Sequence, residues 1–99
     1  MFARVAMFEG PPEQLEEGIR YARANALPAI SRLAGWKGVI GLVDWDSGRA
    51  MTMTFWESES ALRASEEEAA RLRNSVAAEI GSPVAGVDRY DVTFFEIRP

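Results

Sequence analysis

The sequence predicts a ferredoxin-like α+β fold with the element order βαββαβ, in which two helices cover one face of a four-stranded antiparallel sheet. Two observations predict it. Four runs are rich in β-branched and aromatic residues. Two stretches whose apolar residues recur every three or four positions lie after the first and after the third of these runs. Glycine, proline and serine separate these runs. The 99 residues, 1–99, fit a single domain without linker or repeat.

The first part of the chain predicts a strand followed by an irregular helix. The strand is Phe2–Glu9, and it ends at Gly10-Pro11-Pro12 because proline cannot continue a ladder of backbone hydrogen bonds. The apolar stripe that follows is typical of an amphipathic helix ending before Gly35. Pro28 falls inside this stripe and removes one helical hydrogen bond, so we expect a kink or break near Asn25 to Leu27.

Two further runs, KGVIGLVDW and AMTMTFWE, predict a β-hairpin. The intervening DSGR contains Ser47-Gly48, a pair suited to a tight turn. A two-residue loop would place Asp46 opposite Arg49 and Trp45 opposite Ala50, and a three-residue loop would exchange the two faces of the hairpin.

The last third of the chain predicts a helix and a fourth strand. Ser58 or Ser60 can cap the helix, and Gly81 can end it, with Ser82-Pro83 preventing its continuation. The run VDRYDVTFFEI predicts the strand. The apolar stripe of the helix consists of Leu62, Ala69, Leu72, Val76 and Ile80.

One face of the predicted hairpin suggests a pocket. With an even-numbered loop, Gly41 lies beside Thr54 in a small centre that Trp45 and Trp56 could wall, while Thr52 and Thr54 offer hydroxyl groups. Alternatively, side chains of the helices fill this volume and the threonines only reflect strand propensity.

The opposite face of the sheet should be apolar as well. It carries Ile40, Leu42, Met51, Met53 and Phe55. Soluble monomers rarely expose apolar patches larger than a few hundred Å². We therefore expect a homodimer that packs sheet against sheet.

The composition excludes several kinds of chemistry. The chain has no cysteine and no histidine, so it offers neither a thiolate nucleophile nor the usual general base, metal ligand or haem ligand. We expect no metal site and no cofactor. The net charge of −4 leaves no basic surface for phosphates, so nucleic-acid binding is not expected either.

The apolar runs also bear on location. None approaches the roughly 20 residues that a membrane-spanning helix needs. The beginning, MFARVAMFEGPP, is typical of a strand rather than a signal peptide. We expect a cytoplasmic protein without a membrane partner.

The segments LPAISRLAGWKGV, TFWESESALRA and VDRYDV, in this order of elements, resemble the antibiotic biosynthesis monooxygenase domain family of the dimeric α/β barrel superfamily. The resemblance runs over essentially the whole chain. It implies a homodimer with facing sheets and a pocket between sheet and helices in each subunit. Some members oxidise polyphenolic or quinol-type polyketide intermediates with molecular oxygen and no cofactor, and others degrade haem.

The resemblance predicts a cofactor-independent monooxygenase-like protein that binds a small apolar or aromatic, polyketide-like molecule. The alternative is a non-catalytic dimeric module that kept the fold without the chemistry. The haem-degrading branch has an asparagine on its first strand, which this chain lacks, and Ser65 and Ser75 stand where that branch has a tryptophan and a histidine. In the polyketide-oxidising branch an asparagine precedes the pocket tryptophan by four residues; here Trp56 matches, but Thr52 replaces the asparagine.

Seven residues are candidates for contact with a ligand, although none can be assigned a catalytic role. Trp56 either walls a pocket or fills the core. Arg4, an arginine inside an apolar strand, either binds a substrate enolate or carboxylate or pairs with a local acid. The tyrosines could hydrogen-bond a phenolic ligand or satisfy their hydroxyl groups on backbone. The full set is Trp56, Thr52, Thr54, Trp45, Arg4, Tyr21 and Tyr90.

Overall fold

A computed structural model describes residues 1–81 and 84–99 of the chain and contains the predicted four-stranded antiparallel sheet. Its strand order is β2-β3-β1-β4, which confirms the ferredoxin-like arrangement. The elements are β1 Phe2–Glu9, α1 Pro12–Tyr21, a π-helical turn Ala22–Ala26, α2 Leu27–Ile30, β2 Trp36–Asp44, β3 Arg49–Trp56, α3 Glu59–Ala64, α4 Glu66–Glu79 and β4 Val84–Asp91.

The two faces of the sheet are set by the register of the central strand β1. Arg4 lies opposite Thr54 on β3 and opposite Arg89 on β4. Because side chains alternate along a strand, the even-numbered residues of β1 and β3 share one face, which we call the helix face. The odd-numbered residues share the other, which we call the outer face.

The β2–β3 hairpin has a longer loop than predicted. Asp44, not Asp46, lies opposite Arg49, so the loop contains the four residues 45–48. The carboxylate of Asp44 accepts hydrogen bonds from the backbone N–H groups of Asp46 and Ser47 (3.1 and 3.3 Å), which stabilises the wider turn. Gly48 closes it at a positive φ of 81°.

The wider turn moves the register by two residues and therefore leaves every side chain on its predicted face. Gly41 lies opposite Thr52 rather than beside Thr54, and Trp45 moves out of the strand into the loop. The predicted pairing of Trp45 with Ala50 is wrong, since Val43 occupies that position.

We expected Pro28 to kink or break the first helical region near Asn25 to Leu27. Pro28 neither ends nor breaks this region. The irregularity lies just before it, where Ala22–Ala26 form the π-helical turn and the N–H of Leu27 donates to the carbonyl of Ala22. The wider turn shifts the pattern of backbone hydrogen bonds, and Pro28 then stands in the first turn of α2. Proline is tolerated at that place because it has no N–H to donate. The helical region continues from Pro12 to Ile30.

The second helical region is divided where one helix was predicted. Ser58 caps α3, its hydroxyl accepting from the N–H of Ala61 at 3.1 Å. Ser65 then separates α3 from α4. The predicted stripe does face inward, with Leu62, Ala69, Leu72 and Ile80 buried and Val76 packed against them.

The fourth strand begins earlier and ends earlier than predicted. It covers Val84–Asp91 rather than Val87 to Ile97. Its last residue, Asp91, pairs with Phe2, the first residue of β1, and the N–H of Val92 donates to the carbonyl of Met1 (3.0 Å). The predicted role of Ser82-Pro83 lies outside the described residues.

The core lies between the helix face and the helices. Trp56 is fully buried there with Ile30, Leu62 and Leu72. A second cluster joins Phe8 of β1 to Ile80 at the end of α4. Within residues 1–81 and 84–99, no helix is long and apolar enough to cross a membrane.

Candidate ligand-binding site

A cavity of about 410 Å³ lies between the helix face of the sheet and the helical layer formed by α1, the π-helical turn and α4. It exists because small residues line both of its walls. Ala6, Gly41 and Ala50 come from the sheet, and Ala22 and Ala26 come from the π-helical turn. A β-carbon placed on Gly41 would have no atom within 4 Å, so the cavity reaches the strand backbone there.

Three of the seven predicted ligand contacts line this cavity: Arg4, Thr52 and Thr54. Thr54 faces Arg4 across the β1–β3 pair, and Thr52 lies two residues further along the same face. The sequence pattern therefore identified the polar side of the cavity.

The other four predicted contacts lie elsewhere. Trp45 is 56% exposed in the hairpin loop, and Tyr90 is 55% exposed on the outer face, opposite Ala3. Tyr21 is the last residue of α1 and is half-buried outside the cavity lining.

Trp56 belongs to the core and not to the cavity wall. Its side chain has no exposed surface. Its indole N–H donates a hydrogen bond of 3.0 Å to the hydroxyl of Thr54. The core alternative weighed for this residue therefore describes its position, and its influence on the cavity passes through Thr54, whose hydroxyl can still donate to a ligand.

Arg4 is the most constrained polar group of the site. It is 3% exposed, and its Nη2 donates to the carbonyl of Leu62 (2.9 Å) and to the hydroxyl of Ser65 (2.7 Å). Its guanidinium also lies 5.5 Å from the ring centre of Trp56, within the range of a cation–π interaction. Burial lowers the pKa of Arg4, and the charge of Glu66 opposes this effect.

Glu66 is the carboxylate that accompanies Arg4. One of its oxygens lies 3.4 Å from Nη2 of Arg4. Both oxygens also accept from Arg89, at 2.5 and 2.6 Å. Hydrogen bonds from Arg89, together with the charges of Arg89 and Arg4, lower the pKa of Glu66 to about 2. Glu66, the first glutamate of the run EEEAARLR, thus joins Arg4 of β1 to Arg89 of β4.

Two further arginines at the cavity were not among the predicted residues. Arg23, in the π-helical turn, and Arg73, on α4, both belong to its lining. Each follows a residue of an apolar stripe, Ala22 and Leu72 respectively. A search of the flanks of the stripes, and not only of the strands, would have found them.

The arrangement determines what the site can do chemically. Within the described part of the chain, the lining contains arginines, threonines and apolar side chains but no carboxylate. The described residues also contain no group of three or more side chains able to hold a metal ion. The cavity can therefore enclose an apolar body and stabilise negative charge, whereas a protein base for removing a proton is not among its described lining residues.

Comparisons by sequence identify relatives without a described activity. No family model matches the chain. Two uncharacterised proteins of Mycobacterium tuberculosis strain H37Rv, Rv2558 and Rv2557, are 34% and 30% identical to it over 92 residues. These matches cover 93% of this chain but 39% and 41% of the relatives, so the chain spans about two fifths of their length.

Comparisons of structure agree on the fold. ActVA-Orf6, a monooxygenase of Streptomyces coelicolor solved with the ligand nanaomycin D, superposes with a TM-score of 0.76 at 17% identity, over 99% of this chain and 92% of that one. This chain has the antibiotic biosynthesis monooxygenase fold. The resemblance expected from the junction around Trp56 is thereby confirmed at the level of fold.

Two further solved structures share this fold. A variant of SnoaB, a cofactor-independent oxygenase of Streptomyces nogalater, gives a TM-score of 0.68 at 15% identity, covering 95% and 94% of the two chains. A variant of MhuD with two manganese protoporphyrin IX molecules per active site gives 0.71 at 20% identity, covering 99% and 100%. Identities this low show a common fold and leave the activity to the site itself.

Replacing Glu66 by glutamine should destabilise the protein at neutral pH by roughly 1.5–3 kcal/mol, the range for hydrogen bonds to charged groups. The pKa of Glu66 lies below its ordinary value of 4.5, at about 2, so its charge stabilises the fold above about pH 4.5. That contribution is lost as the pH falls through about 2. Urea unfolding at several pH values should therefore show wild type and Glu66→Gln converging in acid.

Glu68→Gln is the matched control, because Glu68 pairs with Arg71 on the exposed surface of the same helix. It should change stability little at any pH. A stability difference for Glu66→Gln that stayed constant from neutral pH to acid would contradict the assigned ion-pair network.

Proposed function

We propose that this protein binds a small, mostly apolar and aromatic molecule in the cavity between its sheet and its helices, and that it acts on this molecule as a cofactor-independent monooxygenase. The observation that supports binding is the cavity itself, about 410 Å³ of space with apolar walls and a few polar groups. The alternative considered for the sequence was that side chains of the helices fill this volume, whereas the space is open in the structure.

The proposed chemistry uses the polar side of the cavity. An anthrone or quinol that gives up a proton becomes an electron-rich anion, and donors arranged in advance stabilise such an anion. Arg4, Thr52 and Thr54 are the groups in position to do so. In the overall reaction of an anthrone, its CH₂ group loses two hydrogens and gains one oxygen atom of O₂, and the other oxygen atom leaves as water.

A second candidate function is non-catalytic ligand binding. Two observations favour it. Trp56, the residue that carries the resemblance, is sealed in the core, and the described lining supplies no carboxylate as a base. In this case the protein binds the same class of molecule and releases it unchanged.

Binding is tested by filling the cavity. Gly41→Leu places an apolar side chain in open space on an unstrained strand, so the variant should fold and lose at least roughly tenfold in affinity for anthrone, about 1.4 kcal/mol. Equilibrium dialysis measures the affinity, and thermal unfolding checks the fold.

Ala78→Leu adds a side chain of similar size at an exposed position of α4 outside the cavity. It should bind anthrone like the wild type. Equal affinity in all three proteins would show that anthrone binds elsewhere and would reject this cavity as the site.

Catalysis is tested by oxygen consumption with anthrone in the absence of added metal or flavin. We expect uptake above the buffer rate, with Thr52→Val slower by roughly tenfold or more because it removes a donor from the developing anion. Trp56→Phe removes the indole N–H that bonds Thr54 and reduces the ring beside Arg4 but leaves every lining side chain in place, so it should have a smaller effect, with thermal unfolding as the check on the core.

Uptake that does not exceed the buffer rate, in protein that still binds anthrone, would favour the non-catalytic candidate. Uptake that is unchanged in Thr52→Val would remove this hydroxyl from the reaction.

The expected homodimer is part of the proposal. The outer face exposes Ile40 and Leu42, and beside it the segment after β4 exposes Phe94 (81%) and Ile97 (71%). Phe95 already packs edge-to-face on Phe55 of this face, with ring centres 5.1 Å apart. A second copy of the chain presents the same apolar surface, so the two can cover each other around a two-fold axis.

Light scattering coupled to size exclusion should give the mass of a dimer at micromolar concentration. Phe94→Glu combined with Ile97→Glu should shift the protein towards the monomer because it would bury charge in the interface. Ala78→Glu, which adds charge on the exposed side of α4, should leave the dimer intact. A wild-type monomer would contradict the proposed assembly.

A further inference from the structure

Positive charge is concentrated at the cavity of a protein whose overall charge is negative. Arg4, Arg23 and Arg73 line the cavity, while the whole chain carries a net charge of −4. The described lining residues include no aspartate or glutamate. Glu66, the carboxylate beside Arg4, is not among these lining residues and is shared with Arg89.

The buried guanidinium of Arg4 keeps unused hydrogen-bond donors. The polar contacts of this guanidinium with Leu62, Ser65 and Glu66 are all made through Nη2. Nε and Nη1 are buried and have no partner among the described residues. Leaving a buried donor unpaired costs about 1–3 kcal/mol, and more for a charged group, so such groups in folded proteins nearly always have a partner.

Glu66 cannot satisfy these two donors as it is placed. Its contact with Arg4 is to Nη2, and its oxygens also accept from Arg89. One carboxylate is therefore shared by two guanidinium groups, which leaves a net positive charge beside the cavity, although Nε and Nη1 of Arg4 themselves have almost no accessible surface.

Arg73 adds to the positive potential at the same place. Within the described part of the chain, it forms no ion pair with a carboxylate, and neither does Arg23. Arg73 and Arg4 both line the cavity; burial lowers the pKa of Arg73 and the charge of Arg4 lowers it further, while the charge of Glu66 opposes these effects. An anion between them would relieve this repulsion.

We propose that the ligand of this cavity is an organic anion, with an apolar body against the alanine and glycine walls and a carboxylate or enolate-type oxygen group held beside Arg4 and Arg73. The inference rests on the proposed function, because it names the chemical class of the molecule that the cavity binds. A guanidinium fork matches the two oxygens of a carboxylate, which gives such a contact direction as well as strength.

Pairs of compounds that differ only in charge test this inference. Suitable pairs are 1-naphthoate with 1-naphthamide, 2-naphthoate with 2-naphthamide, and anthracene-2-carboxylate with its amide. Isothermal titration of the wild type should show that at least one acid binds more tightly than its amide by roughly tenfold, equivalent to about 1.4 kcal/mol. The preference should shrink as salt is added, because added ions screen charge interactions.

Arg73→Gln should reduce the preference for the acid while leaving the affinity for the amide nearly unchanged. Arg73 is only partly buried, so this variant should disturb the fold less than a replacement of Arg4, which is 3% exposed. Arg71→Gln is the matched control, with the same substitution two residues earlier on α4 and outside the cavity lining. It should retain the full preference.

The outcomes separate the two proposals. If acids and amides bind with equal affinity, the cavity binds ligands as proposed but the anion inference is overturned. If neither kind of compound binds while anthrone does, the anion inference is overturned and the proposed function stands; if anthrone does not bind either, the proposed function itself fails. A preference for acids that persists unchanged in Arg73→Gln would also overturn the inference, because its cause would lie elsewhere on the protein.

Discussion

Arg4 stands on the central strand beneath the junction of α3 and α4, and its charge is tolerated there only because that junction supplies acceptors. The carbonyl of Leu62 and the hydroxyl of Ser65 both accept from Nη2. The hydroxyl of Ser65 in turn donates to the carbonyl of Leu62 at 2.6 Å, so one serine links the end of α3 to the arginine. The carbonyl of Leu62 also accepts from the backbone N–H of Ser65 at 3.2 Å, so the turn that divides the second helical region is tied directly to the arginine.

The size of the side chains decides where the helix face forms a core and where it leaves a cavity. Near Trp56, large residues from α2, α3 and α4 meet and exclude solvent. Towards the hairpin, the sheet carries the small residues Ala6, Gly41 and Ala50. The alanines of the π-helical turn are too short to fill the space above them. The same layer arrangement therefore provides stability at one end and space at the other.

Much of the fold followed from local patterns, since the alternation of side chains along a strand and their recurrence along a helix depend only on neighbouring residues. The helix-facing position of Thr52 and Thr54 could be predicted because it survives any even change of loop length. The loop length itself could not, because it depends on a side-chain turn made by Asp44. Trp56 was harder still, since strand alternation gives the face of a residue but not whether a helix covers it. The end of β4 depends on where another strand begins, which no local pattern contains.

The π-helical turn has a consequence for how this site can change over time. A turn bonded from residue i to i+5 holds one more residue than an α-helical turn, and each residue of an α-helix advances about 100° around the axis. Because that single wide turn holds the extra residue, loss of one residue between Ala22 and Ala26 would restore a regular helix with α1 and α2 still facing the sheet, and it would change which side chains of the turn line the cavity. Chains related to this one by a single deletion would thus keep the fold while presenting a different wall to the ligand. Insertions and deletions in this turn are a route to new specificity that does not disturb the buried arginine.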